Sequence, residues 1–124
     1  MVMTPYSPLA GGRVCRLYTD EKTKRSSNNP INVRKYEHAK DIDIPVIQRI
    51  KEVADKKKVT MAQVSLAWIL SKPLVVSPVI GCTKISQLEE LCQVFKVKLT
   101  EEEIKYLEEL YVPHKTVGAL SKPQ

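Results

Sequence analysis

The chain has 124 residues, 43% of them hydrophobic and 27% charged, which suits one domain with a modest core. Its net charge of +6 arises in the first half: residues 1–60 carry 13 Lys and Arg against 7 Asp and Glu, and the rest carry 7 of each. No stretch reaches the roughly 20 apolar residues of a membrane span, the first residues lack a secretory pattern, and Cys15, Cys82 and Cys92 fit no zinc spacing, so a cytoplasmic protein with reduced thiols is expected.

The opening MVMTPYS is apolar and then meets Pro5 and Pro8, as a strand does when it empties into a loop. In the following SPLAGGRVCRLYTD, the adjacent Gly11 and Gly12 allow a tight turn and close approach to a ligand. Residues 21–38 are polar and aperiodic, too long for a simple connector, and read as a mobile loop. Over residues 44–58, Ile47, Ile50 and Ala54, flanked by Val46 and Val53, share one helical face. The lysines Lys56–Lys58 then supply cations to the negative end of that helix.

Thr60 and Gln63 form a capping box for a second helix, MAQVSLAWILSK, which Pro73 ends. Val64, Ala67, Trp68 and Leu70 give it a broad apolar side, and Trp68 is expected in the core. PLVVSPVIG is β-branched and apolar on both faces, as in a strand of a parallel, helix-covered sheet. Leu88, Leu91, Cys92 and Phe95 keep helical spacing on a third helix. Thr100 and Glu103 cap a last one, with Ile104, Leu107 and Leu110 inward, before Pro113 and the tail 114–124.

Strands alternating with helices indicate an α/β fold with parallel strands. Only two strands can be counted, and such a pair, apolar on both faces, cannot bury itself. The sequence therefore reads as a piece of something larger.

Both strand ends carry similar residues. Ser7, Leu9, Gly11 and Gly12 follow the first, and Gly81, Cys82 and Thr83 follow the second. Ligands of α/β folds sit at the carboxyl ends of strands, where helix N-termini offer free N–H groups to anions. Lys84, Arg13 and Arg16 would supply countercharge to two parts of one phosphorylated ligand. Strand–glycine–helix turns are common and most bind nothing, so these residues alone leave both readings open.

PYSPLAGGRVCR, VTMAQVSLAWILSKP, VSPVIGCTKISQLEEL and KLTEEEIKYLEELYVPH follow one another in the order and spacing of the aldo-keto reductases. The chain resembles the C-terminal part of that family over nearly its whole length. The ending YVPHKTVG is similar to a bacterial and fungal branch with aryl-alcohol-dehydrogenase-like and YajO-like members. The resemblance implies a partial (β/α)8 TIM barrel: two parallel strands, the seventh and eighth of the barrel, with four or five helices on one side. Residues 1–124 would then form a C-terminal fragment of an NADP-dependent oxidoreductase domain.

In family terms the loop from Ser7 to Arg16, with Leu9 and Gly12, lies across the NADP pyrophosphate. The turn Gly81, Cys82, Thr83 and Lys84 receives the adenosine 2′-phosphate, with Gln87 and Glu90 at positions that contact the adenine ribose and ring. Tyr6 matches an aromatic that stacks on the nicotinamide. The family usually has Asn where Leu91 stands, which removes a hydrogen bond to adenine. No arginine occupies the Gln87 position, so Lys84 is left to favour NADP over NAD.

The catalytic Asp, Tyr, Lys and His come from the first half of the family barrel, before this chain begins, so no catalytic residue is carried over and the chain alone is expected to be inactive. The partner of the complete enzyme is a small carbonyl substrate, with no nucleic acid, metal or membrane. Alternatively the chain is a non-catalytic docking or regulatory fragment that pairs with a complementary half-barrel or with itself, through open strand edges. A helix-turn-helix reading of VTMAQVSLAWIL meets a β-branched run and two prolines where a 3–4-residue turn is needed. His38 and His114 read as surface residues.

Overall fold

The computed structural model describes residues 1–19 and 36–114. The polar loop read over residues 21–38 lies outside the described residues but for its last three, as does the tail from residue 115 on. Four α-helices form: α1 (Lys40–Lys57), α2 (Met61–Leu70), α3 (Ile85–Cys92) and α4 (Glu101–Glu108). Shorter 3-10 turns occupy Ala10–Cys15, Glu37–Ala39 and Gln93–Lys96.

Helix α1 begins at Lys40 rather than Ile44, with Asp41 and Asp43 placing negative charge at its positive end. Pro45 is accommodated inside it at an exposed position, where the carbonyl it leaves unbonded can meet water. The helix stops at Lys58, whose left-handed backbone (φ 55°) returns its N–H to the Ala54 and Asp55 carbonyls. Both expected capping boxes are present. Gln63 N–H donates to Thr60 Oγ1 at 3.2 Å and Thr60 N–H to Gln63 Oε1 at 3.0 Å. Thr100 and Glu103 repeat the exchange at the head of α4, at 3.2 and 2.9 Å.

Helix α2 is the central element, buried without interruption from Met61 to Ala67. On one side Met61 and Val64 meet Ile47, Ile50, Val53 and Ala54 of α1 and Leu107 of α4. On the other, Ala62, Leu66 and Ala67 meet Leu91 and Val94. Trp68 packs half-buried against the first cluster, as expected of a core residue.

The two expected strands are corrected to isolated bridges. Met3 pairs with Val75 and Tyr6 with Val79, both parallel as read, but no continuous strand forms among the described residues. Met3 N–H donates to Leu74 O at 2.7 Å, Val76 N–H to Met3 O at 3.0 Å, and Val79 N–H to Pro5 O at 2.8 Å. The bridges are out of step by one residue, and Pro5 and Pro78 lie between them without N–H groups to continue a ladder. Among the described residues neither segment has a second neighbour to order it. Leu74, Val76 and Val79 consequently stay 53%, 62% and 51% exposed.

Two helical faces also differ from the reading. Leu91 is buried, but Leu88, Cys92 and Phe95 are exposed and Val94 takes the inward place. The tighter 3-10 turn at Gln93–Lys96 shifts the phase of the face there. On α4, Leu107 is buried, Ile104 half-buried and Leu110 exposed, while Glu103 goes inward. Glu103 is tolerated there because Lys57 Nζ lies 2.9 Å from its carboxylate and also donates to Lys98 O at 2.7 Å.

Charged groups clamp α4 to its neighbours. Arg49 of α1 lies over the Tyr106 ring at 4.1 Å and donates to Tyr106 O and Glu109 Oε2. Glu108 accepts the Trp68 indole N–H at 2.7 Å and pairs with Lys72. The bonds from Lys72 and Trp68 hold the Glu108 carboxyl below its ordinary 4.5, outweighing the opposing effect of burial. Burial raises the Glu103 carboxyl, but the Lys57 bond, the Thr100 N–H and the charges of Lys57 and Lys56 together bring it below 4.5.

Both folded-state pKa values are thus depressed. The stability these carboxylates contribute is complete above about 4.5 and is lost as the pH falls from there through the folded values. Thermal unfolding followed by Trp68 emission should lose midpoint steadily below pH 4.5. Glu108→Gln should remove part of that acid dependence while leaving the profile above pH 6 flat.

Candidate functional site

Two turns, far apart in sequence, meet on α2 and α3. In the first, Ser7, Ala10, Gly11 and Gly12 all have positive φ (56°, 49°, 66° and 91°). Only the two glycines reach this region without cost, so the loop from Ser7 to Gly12 holds backbone strain. Leu9 is on the right-handed side and Ala10 on the left-handed side, and the turn closes on itself, with Ala10 N–H donating to Ser7 O at 3.0 Å and Gly12 N–H to Leu9 O at 2.8 Å. Ser65 of α2 anchors the loop, its hydroxyl lying 3.3 Å from Val14 O. Leu9 and Cys15 pack on the cluster around Leu66.

The second turn follows the Val79 bridge. Ile80 and Cys82 pack on the same cluster, so one apolar floor carries both turns. Lys84 is the exposed N-cap residue of α3 and makes no side-chain cap. Gln87, one turn into α3, folds back instead: its Oε1 accepts from Thr83 N–H at 3.1 Å and from Thr83 Oγ1 at 3.2 Å. Glu90 is drawn toward α2, where its carboxylate accepts from Thr60 Oγ1 at 2.7 Å and its carbonyl from Gln63 Nε2 at 2.7 Å.

Between the turns lies a cavity of about 360 Å³. Of the residues singled out in the sequence, Ser7, Leu9, Gly12, Arg16, Gly81, Cys82, Gln87 and Glu90 line it. Tyr6, Thr83 and Lys84 do not; Tyr6 is 82% exposed on the bridge with Val79. Gly11, read from the sequence as a turn residue, lines it too, and Cys15 and Ala62 also line the wall but were not singled out as site residues. Ala62 sits on α2, and only the packing of that helix brings it there.

A family model described as the aldo/keto reductase family matches residues 1–112. The chain belongs to the aldo/keto reductase family. It is 38% identical over 112 residues to the versiconal hemiacetal acetate reductase of Aspergillus parasiticus, covering 90% of this chain and 32% of that protein. It is 35% identical to an aldo-keto reductase of Metarhizium robertsii (94% and 31% covered) and 33% identical to a Saccharomyces cerevisiae protein named as an aryl-alcohol dehydrogenase (91% and 32%). The chain spans about a third of the length of the curated relatives it matches.

Within this aldo/keto reductase chain, Leu91 stands where the resemblance leads one to expect Asn, and it is buried in the floor of the cavity. Arg13, read as countercharge for the cavity, turns the other way. Its Nε lies 3.7 Å from Asp43 Oδ2, and its guanidinium lies 5.3 and 6.0 Å from the Tyr18 and Tyr36 ring centres. The carboxylate and the two rings draw it to the start of α1 and leave Arg16 as the cavity's arginine. His114 and His38 are exposed as read, but His114 Nε2 sits 2.8 Å from Asp43 Oδ1 with the His38 ring edge-on at 6.3 Å.

Only residues 58–60 separate α1 from α2, so that helix pair does have helix-turn-helix spacing. The second helix of such a pair must lie open to the groove of DNA. Met61–Ala67 are buried, which leaves no such face. No helix among the described residues is long and apolar enough to cross a membrane.

Gly12 and Gly81 separate backbone strain from ligand approach. A Cβ at either meets nothing within 4 Å, but Gly12 has φ +91° and Gly81 has no such value. Gly12→Ala should therefore cost about 1–2 kcal/mol through its left-handed backbone, read as a lower unfolding midpoint. Gly81→Ala should leave the midpoint unchanged, so any loss of ligand binding it causes reports how closely a ligand approaches that backbone.

Proposed function

We propose that this chain is the cofactor-holding part of an NADP(H)-dependent carbonyl–alcohol oxidoreductase of the aldo/keto reductase family. The observation that carries the reading is the meeting of two loops, each expected from the resemblance to hold one end of the nucleotide, on a single cavity. Ser7 to Arg16 lie across the pyrophosphate, and Gly81 to Lys84 take the 2′-phosphate at the head of α3. Tyr6 is a platform for the nicotinamide ring, and Gln87 and Glu90 flank the adenosine.

The cofactor, when bound, supplies the hydride that reduces a carbonyl. The chain's own residues orient and hold it: N–H groups of the strained loop and the first turn of α3 donate to phosphoryl oxygens, with Arg16 and Lys84 as countercharge. In this reading the acid that protonates the carbonyl belongs to the remaining two thirds of the family length, and this chain contributes no catalytic residue.

Calorimetric titration with NADP and NAD tests the site. Lys84→Ala should weaken NADP roughly three- to tenfold and leave NAD nearly unchanged, since an exposed charge-assisted contact is of that size. With NADPH and an aromatic aldehyde, the purified chain should show no turnover. Turnover that disappears in Tyr6→Phe would place the proton donor within this chain and overturn the assignment.

A second reading, a docking fragment that pairs with a complementary half-barrel or with itself, is favoured by the exposed Leu74, Val76, Val79, Ile85 and Phe95. An open parallel edge beside such residues recruits a further strand. Sedimentation should show concentration-dependent association, and the double variant Val76→Asp, Val79→Asp should shift it to monomer. A monodisperse wild-type monomer at high concentration would remove this reading.

A further inference from the structure

The turn at Ala10–Cys15 is a common wall of two cavities. Gly12 and Cys15 face the 360 Å³ cavity of the candidate site, whereas Arg13 and Val14 line a smaller one of about 170 Å³. The smaller cavity is also walled by α1, at Val46 and Ile47, and by the segment beyond α4, at Tyr111 and Val112. Asp43 stands where these three segments converge. Its Oδ1 lies 2.8 Å from His114 Nε2 and its Oδ2 lies 3.7 Å from Arg13 Nε. The side chains of Arg13, Asp43 and His114 keep 14%, 20% and 33% of their exposure, so water and salt screen this junction less than an open surface pair. Tyr111 and Val112 are 69% and 48% exposed, so apolar burial contributes little to holding their segment down.

We infer that Asp43 is a positioning residue for the candidate site: with Arg13 on one oxygen and His114 on the other, it couples the segment beyond α4 to the loop that walls the cavity. Asp43 does not itself line the larger cavity. It acts through Arg13, whose neighbour Gly12 carries the left-handed backbone of the wall. Loss of either partner loosens the junction, and the other segment loosens with it. By linkage, a ligand that braces the loop also steadies the segment beyond α4. The consequence for a cofactor rests on the reading of the larger cavity as a nucleotide site.

Amide hydrogen exchange on the full chain reads the coupling without a ligand. Each segment has a reporter: Gly12 N–H donates to Leu9 O at 2.8 Å and Tyr111 N–H to Glu108 O at 3.0 Å. His114→Ala should accelerate exchange at Gly12 about three- to tenfold, and Arg13→Ala should do the same at Tyr111. Asp43→Asn should accelerate both, and adding His114→Ala to it should change Gly12 no further. Asp41→Asn removes the same charge from the first turn of α1 at an exposed position, and it should leave both reporters unchanged.

NADP titration supplies the functional arm. Asp43→Asn should weaken NADP about three- to tenfold, and Asp43→Glu, which keeps the charge, should recover most of that loss. Exchange at Gly12 that ignores His114→Ala, or that responds equally to Asp41→Asn, would overturn the coupling. Coupled exchange with NADP affinity unchanged in Asp43→Asn would overturn the positioning role. Coupled exchange in a wild-type chain that binds no NADP would support the coupling and remove the nucleotide reading instead.

Discussion

Everything in the described structure depends on the burial of α2. Its seven consecutive buried residues, Met61 to Ala67, form a partition with a cluster on each side. Helices that are apolar all round belong in interiors, and α2 reaches that state with small residues: Ala62, Ser65 and Ala67 let neighbours approach closely. Ser65 illustrates the economy. Its hydroxyl donates to Met61 O at 2.9 Å in its own helix and lies 3.3 Å from Val14 O of the strained loop. The first site turn is thus tied to the core by a residue that would otherwise be an ordinary buried serine.

The head of α2 performs a second tie. Thr60 caps its helix and donates to Glu90, while Gln63 closes the capping box and donates to the Glu90 carbonyl. A local device for starting one helix therefore also fixes where another lies. Glu90 satisfies these donors as the structure stands, so its carboxylate must leave Thr60 before it can bond a ligand. The loop after Tyr6 and the turn before α3 are both held from beneath by α2, and the space between them is the cavity.

What was legible in the residues was what is local. Thr60 with Gln63 and Thr100 with Glu103 are separated by three positions, so the sequence alone contains both partners. The inward face of α1 was readable for the same reason, whereas on α2 the reading named Val64 and Ala67 but not Met61, Ala62 and Leu66, and Trp68 and Leu70 are only half-buried. The strands were not legible, because β-branched composition reports that a segment suits a sheet without reporting whether neighbours exist; Val75 and Val79 find one partner each. On α3 the periodic reading failed where the helix tightens, exchanging Phe95 for Val94. At the site, glycines and small polar residues marked the two turns, whereas Ala62 and Cys15 carry no sequence signal of a wall. The turning of Arg13 toward Asp43 depends on a helix start that periodicity alone placed at Ile44 rather than Lys40.

The division between binding and chemistry in the proposed function follows from how each is built. Holding phosphates needs backbone N–H groups at a strained loop and a helix head, and each such turn is made by a few consecutive residues. Two turns on one apolar floor suffice, and α2 with α3 supplies that floor. Protonating a carbonyl while hydride arrives needs side chains from separate segments held within a fraction of an ångström of one geometry. A chain that spans a third of its relatives' length can keep the first kind of site intact, because its parts are local and its support is internal. In the proposed function the second kind of site is drawn from segments outside this chain. The well-packed side of the molecule, around α2, carries the candidate cavity, while Val76 and Val79 beside the bridges stay exposed.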